Sequence, residues 1–141
     1  MITNKVRGDI LQSEHKHIVF ASNTEGFNDA GFAGLISRRF WPELMAIGEQ
    51  KLGTVLKHTA GGKTFYAVVC HSLGEQGWKN APETIEKALN DLDIPFIEST
   101  GESIASVAMG NGPIGLMQGA DGEANMKAME KSNKKIVVYS L

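Results

Sequence analysis

The chain has 141 residues, 42% of them hydrophobic and 21% charged, with a formal net charge of −2. That length suits one domain and scarcely two, and the composition is that of an ordinary globular protein. Charges of both signs are spread along the chain with no basic block, which argues against a large nucleic-acid footprint.

Ile2–Arg7 alternates weakly and ends at Gly8-Asp9, which reads as a strand and a turn. Ile18–Ser22 is a short apolar run with β-branched members, the pattern of a strand buried on both faces. The stretch NTEGFNDAGFAG, residues 23–34, follows it and leads into a helix over Gly31–Phe40. Trp41-Pro42 interrupts that helix, and Pro42 is expected to open a second short helix to about Gln50. Thr54–Thr59 and Thr64–His71 flank Ala60-Gly61-Gly62-Lys63, a hairpin signal. A helix from Pro82 to about Leu92 carries Ile85, Ala88, Leu89 and Leu92 on one stripe. Pro95 and the following residues then form a loop. Ser103–Met109 reads as another buried strand, and Gly110–Gly119 holds four glycines in ten residues. Asp121 is the expected N-cap of a helix over Glu123–Lys131, and Lys135–Leu141 is a terminal strand. Strands alternating with helices, plus one hairpin, give an α/β fold with a mixed sheet.

The single cysteine, Cys70, excludes an intrachain disulfide and suits a reducing compartment. The N-terminal residues lack the apolar core of a signal peptide, and no apolar run approaches the roughly 20 residues that span a bilayer. A cytoplasmic protein with no membrane partner is the expectation. His15, His17 and His58 lack metal-ligand spacing with any Cys or acid, so no metal site and no cofactor are expected. The oligomeric state is left open.

Two glycine-rich loops each follow a buried strand and precede a helix. In open α/β sheets, ligands bind beyond the carboxyl ends of the strands. Glycine there lets the backbone approach a ligand, and successive N–H groups with a helix N-terminus behind them favour an anion. Two such loops facing each other could clamp a diphosphate. Two tight turns in a compact domain would give the same composition. Neither loop is a Walker A motif, because Gly110–Gly119 contains no Gly-Lys-Ser/Thr. GNGPIG matches the dinucleotide-binding string, but it lies late in the chain with no suitable acid about 20 residues on.

The order of GDIL (8–11), VFASN into NDAGFAGLI (19–36), YAVVCHS (66–72), VAMGNGPIGL (107–116) and VVYSL (137–141) resembles a macro domain over almost the whole chain. It is most similar to small stand-alone macro domains: those that remove terminal ADP-ribose from glutamate, the ADP-ribose-1″-phosphate phosphatases, and phage-encoded relatives. The resemblance implies a single three-layer α/β/α macro domain over residues 1–141, and a small nucleotide, ADP-ribose or a close derivative, as partner. It implies Asp9 and Ile10 at the adenine. It assigns the distal ribose to Asn23, Asn28, Gly31, Phe32, Ala33 and Gly34. It assigns the diphosphate to Gly110, Asn111, Gly112, Pro113, Ile114, Gly115 and Leu116. Tyr139 and Leu141 become candidates near the adenine, and Ser72 a further ligand contact.

The sequence departs from the hydrolases of that family. In one class, GGGGVDG carries a catalytic Asp before its last glycine, and a gapless reading puts Ala33 there. The glutamate-directed branch uses a Lys and an Asp where His71 and Ile114 stand here. Other groups could substitute. Asn23 could orient a water or a ribose hydroxyl, Asp29 could act as a general base, and His71 titrates near neutrality. Each also has a structural reading: Asp29 as a helix cap, His71 as a hydrogen-bonder at a strand end. Cys70 is expected to pack in its strand, and Trp41 and Trp78 to lie in the core or at the rim rather than to stack on a ligand. Three readings remain: a reader or sequestering protein for an NAD-derived nucleotide, a hydrolase acting at the 1″ position, or a structural or interaction protein with vestigial loops. In a phage, sequestration would fit a host defence signal.

Overall fold

The computed structural model describes residues 1–94 and 104–140. Six strands form one sheet: β1 (Ile2–Arg7), β2 (His17–Asn23), β3 (Val55–Ala60), β4 (Lys63–His71), β5 (Ile104–Val107) and β6 (Ile136–Ser140). Their order is β1-β6-β5-β2-β4-β3. All neighbours are parallel except the β3–β4 hairpin, so the sheet is mixed with one antiparallel edge strand. The hairpin turns on Gly61 and Gly62, at φ 59° and 76°, values that a side chain resists.

Alternation along the central strands decides the layers. Val19 of β2 and Tyr66, Val68 and Cys70 of β4 face one side, where Ile85 and Leu89 of α2 (Ala81–Asp91) and Met129 of a later helix, α4 (Gly122–Lys131), cover them. Ile18, Phe20, Phe65 and Ala67 face the other side, where Ile36 of α1 (Gly31–Arg39), Trp41 and Leu44 cover them. Period two along a strand sends neighbours to opposite faces, so a strand apolar on both faces needs helices on both. Each fully buried aliphatic or aromatic side chain contributes about 1.5–3 kcal/mol, which concentrates the stabilising core on β2 and β4. The result is a three-layer α/β/α arrangement.

Most elements fall within one or two residues of expectation. Asp121 caps α4, its carboxylate accepting from Ala124 N at 3.0 Å. Three differences have physical reasons. The expected helix from Pro42 to Gln50 is a single 3-10 turn, Pro42–Met45. Beyond it the backbone runs beside the loop after β2 instead: Asn28 N donates to Met45 O (2.9 Å), Ile47 N to Gly26 O (3.0 Å) and Gln50 N to Thr24 O (2.7 Å). Those bonds replace helical ones, and Gly48 at φ 90° would break a helix in any case. The strand expected over 103–109 is shorter, Ile104–Val107, because the chain turns into the second glycine loop. Within that loop the glycines do not prevent a short helix, α3 (Pro113–Met117), opened by Pro113 at a position where a proline suits a helix start. The expected loop from Pro95 lies outside the described residues.

Among the described residues no helix is long and apolar enough to cross a membrane.

Candidate functional site

The parallel strands all end at the same edge of the sheet. There a cleft of about 550 Å³ opens between the loop after β2 and the loop after β5. Its floor is strand ends, Phe20, Ala21 and Val107, and its walls come from both loops, from His71 at the end of β4, and from Trp78. A Cβ added to Gly31 would lie 3.9 Å from Ile114 Cδ1, so the two glycine loops face each other across the opening.

The first loop is fixed from within. Asn23 is buried, and its amide donates to Phe27 O (2.7 Å) while its carbonyl oxygen accepts from Phe27 N (3.1 Å). Asn28 is also buried: its Oδ1 accepts from Ser22 Oγ (2.8 Å) and its Nδ2 donates to Leu44 O (2.9 Å). Both asparagines line the cleft, with their amide atoms engaged in shaping it. Gly31, at φ 60°, starts α1. Gly34 lies behind the wall, where a Cβ would come within 2.6 Å of the Asp29 carbonyl carbon. This glycine is needed for the loop to close on its own helix. Asp29 does not cap α1, a correction to one reading of it. The N-cap is Ala30, which has no capping side chain, and Asp29 is exposed on the cleft wall. The uncapped N-terminus of α1 favours an anion. Phe32 lies edge-on to Phe20 at 5.7 Å, joining the cleft wall to the core.

The second loop contributes Gly110, Gly112, Pro113, Ile114 and Gly115. Gly110 has φ 77°, and a Cβ there would meet Asn125, Ala120 and Trp78 at 2.8–3.2 Å. Asn111 turns away from the cleft and its amide donates to Gly122 O at 3.3 Å. Leu116 is exposed and lies outside the lining.

His71 is buried, its ring stacked on Trp78 at 3.8 Å and 8°. Its Nδ1 is buried and reaches no partner at ordinary hydrogen-bond geometry. Burial pushes the imidazole down to about 4, against the opposing pull of the Ser72 backbone and the Glu25 carboxylate, so it is neutral at pH 7. Cys70 beside it is buried, and burial pushes its thiol up to about 12, which makes it a small hydrophobe. Ser72 lies outside the lining; its hydroxyl donates to Glu25.

Asp9, Ile10 and Tyr139 form a separate group at the same sheet edge. Gly8 N donates to Ser140 O (2.7 Å), which sets the turn after β1 beside the end of β6. Asp9 Oδ1 accepts from Leu11 N at 2.9 Å, and Ile10 packs into the core. Tyr139 packs partly into the same cluster, edge-on to His15 at 5.6 Å. Its register partner Val107 lines the cleft, so the two groups are one strand apart. Leu141 lies outside the described residues.

Some lining residues are not among the sequence candidates. Phe27, Leu73 and Gln118 line the cleft, and Glu25 holds Leu73 in place. Trp78, expected in the core or at the rim, forms a wall and carries His71. Glu25 and Phe27 lie inside the first loop itself, which is the signal for them; nothing in the sequence marks Leu73. Among the described residues no three His, Cys, Asp or Glu side chains cluster as metal ligands would.

No family model matches the chain, and no curated protein matches it. Solved structures do. The Mycobacterium tuberculosis DarG macrodomain is 23% identical, with TM-score 0.66, over 100% of this chain and 98% of that one. A macrodomain protein of Streptomyces coelicolor is 18% identical with TM-score 0.71, over 100% and 99%. The Oceanobacillus iheyensis macrodomain is 16% identical with TM-score 0.64, over 96% and 82%. At these identities the likeness is one of fold.

Proposed function

We propose that this chain, which has the macrodomain fold, binds ADP-ribose or a closely related NAD-derived nucleotide and acts as a reader or sequestering protein. One observation carries the proposal: both glycine loops line a single cleft at the carboxyl edge of the parallel strands. The strand order supports it further. Tyr139 lies one residue before the end of β6, Val107 ends β5, Asn23 ends β2 and His71 ends β4, and these four strands are consecutive in the sheet. Three strand spacings span about 14 Å, a fitting length for a nucleotide laid across the edge. Adenine would lie by Asp9 and Tyr139, the diphosphate between the second loop and the start of α1, and the terminal ribose by Asn23, Phe32 and His71. Backbone N–H groups and a helix N-terminus can hold a diphosphate without lysines. The Oceanobacillus iheyensis relative was solved, as a mutant, with ADPR.

A second reading is hydrolysis at the 1″ position, favoured by the presence of Asp29 and His71 in the same cleft. It is the weaker one. A histidine with its pKa near 4 is a poor general base at neutral pH, and the Asn23 amide is engaged with Phe27.

Calorimetry with ADP-ribose, with released products followed in the same samples, tests both. Binding without turnover supports the reader. Turnover that is lost in Asp29→Ala while binding persists supports the hydrolase. A ligand at 100 times its Kd adds about 2.7 kcal/mol of stability, so an unchanged Tm with ADP-ribose would remove both.

A further inference from the structure

The charge of the cleft is one-sided. Among the described residues that line it, Asp29 is the one ionised side chain, and no Lys or Arg contributes. Arg38 comes near, but its guanidinium donates to the Asp29 carbonyl at 3.1 Å and it lies outside the lining. The donors that suit phosphate belong to the two loop backbones, where a diphosphate would take them. The wall beyond them is different. It consists of Asn23, Phe27, Asp29, His71 and Leu73. The Asn23 amide already donates to Phe27, and His71 Nδ1 is sealed from solvent. Phe27, Leu73 and, across the opening, Ile114 are 55%, 44% and 42% exposed, so the mouth itself is apolar.

We propose that this end of the cleft takes an uncharged substituent with an apolar face on the terminal ribose, and excludes a phosphate there. The inference rests on the ADP-ribose reading and narrows its substrate class. A phosphomonoester at the 1″ position carries nearly two charges at neutral pH. Here it would exchange water for apolar side chains, with no cation among the lining residues and a carboxylate nearby. A neutral group loses little hydration and gains contact with the rim.

The test titrates the full chain by calorimetry with ADP-ribose and with ADP-ribose-1″-phosphate at the same pH and salt. The phosphorylated nucleotide is expected to bind about tenfold more weakly or worse, and Asp29→Asn is expected to narrow that ratio, with both nucleotides titrated into both proteins. Equal or tighter binding of the phosphorylated nucleotide, or release of phosphate from it, overturns the inference but leaves ADP-ribose binding intact. If neither nucleotide binds, the ADP-ribose reading itself falls and takes the inference with it.

Discussion

The Glu25 carboxylate accepts a 2.8 Å hydrogen bond from the hydroxyl of Ser72, 47 residues away in sequence. It also accepts from Leu73 N at 2.9 Å and from Thr24 Oγ1 at 3.0 Å. One side chain thereby ties the loop after β2 to the loop after β4, and Leu73 is set on the cleft wall. Burial works to raise the Glu25 pKa, but the hydrogen bonds from Leu73, Ser72 and Thr24 together outweigh it, and the net shift is downward. A lowered carboxylate contributes stability that is present above its ordinary value of 4.5 and is lost as pH falls below it.

Replacing Glu25 should therefore loosen the cleft. Glu25→Ala is expected to cost about 1–2 kcal/mol, modest for bonds to a charged group because the site is partly wet. It should also weaken nucleotide binding. Glu25→Gln should recover part of both. Urea unfolding at pH 7 measures the first effect and calorimetry the second; wild-type values for the alanine variant would show that the tie holds nothing.

His71 gives a second pH dependence in another window. Its native pKa is near 4, against an ordinary 6.5, so between those values the unfolded chain binds a proton that the native chain does not. Stability is complete above about pH 6.5 and falls as pH drops toward 4. His71→Phe keeps a flat ring on Trp78 without the titration. Unfolding midpoints at pH 7 and pH 5 should differ less in the variant, and equal differences in the two proteins would contradict the buried neutral imidazole.

The glycines of the second loop separate fold from ligand. Gly110→Ala places a Cβ 2.8 Å from Asn125 Nδ2 at φ 77°, and should destabilise by about 1–3 kcal/mol. Gly112 has φ −73° and nothing within 4 Å of an added Cβ. Gly112→Ala should leave stability within about 0.5 kcal/mol yet weaken ADP-ribose, because only a bound phosphate crowds it. Full affinity in that variant would place the diphosphate elsewhere.

Asp9 needs a variant that spares its cap. Its carboxylate accepts from Leu11 N at the start of the 3-10 turn Ile10–Gln12. Asp9→Ala loses about 1 kcal/mol of capping together with any adenine contact. Asp9→Asn keeps an acceptor for Leu11 but loses the charge. It should stay as stable as wild type and bind ADP-ribose about tenfold or more weakly, since a hydrogen bond to a charged group is worth about 1.5–3 kcal/mol. Unchanged affinity in Asp9→Asn would count against adenine at that turn.

The sequence alone determined what depends on neighbours along the chain. Ile18–Ser22 announces a strand buried on both faces, Gly61-Gly62 a hairpin, Asp121 a helix cap, and two glycine-rich stretches announce loops after strands. These are local choices of backbone angle, hydrogen-bond partner and periodicity, so they are legible residue by residue. Tertiary structure decided everything that needs a partner far away. The segment after Met45 gives up its helix because the backbone of the 24–28 loop offers it bonds. Asn23 and Asn28 line the cleft and also hold its shape, because their amides bond Phe27, Ser22 and Leu44, partners the sequence does not name. His71 reads as a group poised at neutrality until Trp78 covers it, because a pKa reflects the surrounding medium and the sequence does not state what surrounds a residue. The strand order, which lays four strand ends in a row, is likewise a choice among long-range pairings, and that choice turns two glycine loops into one cleft.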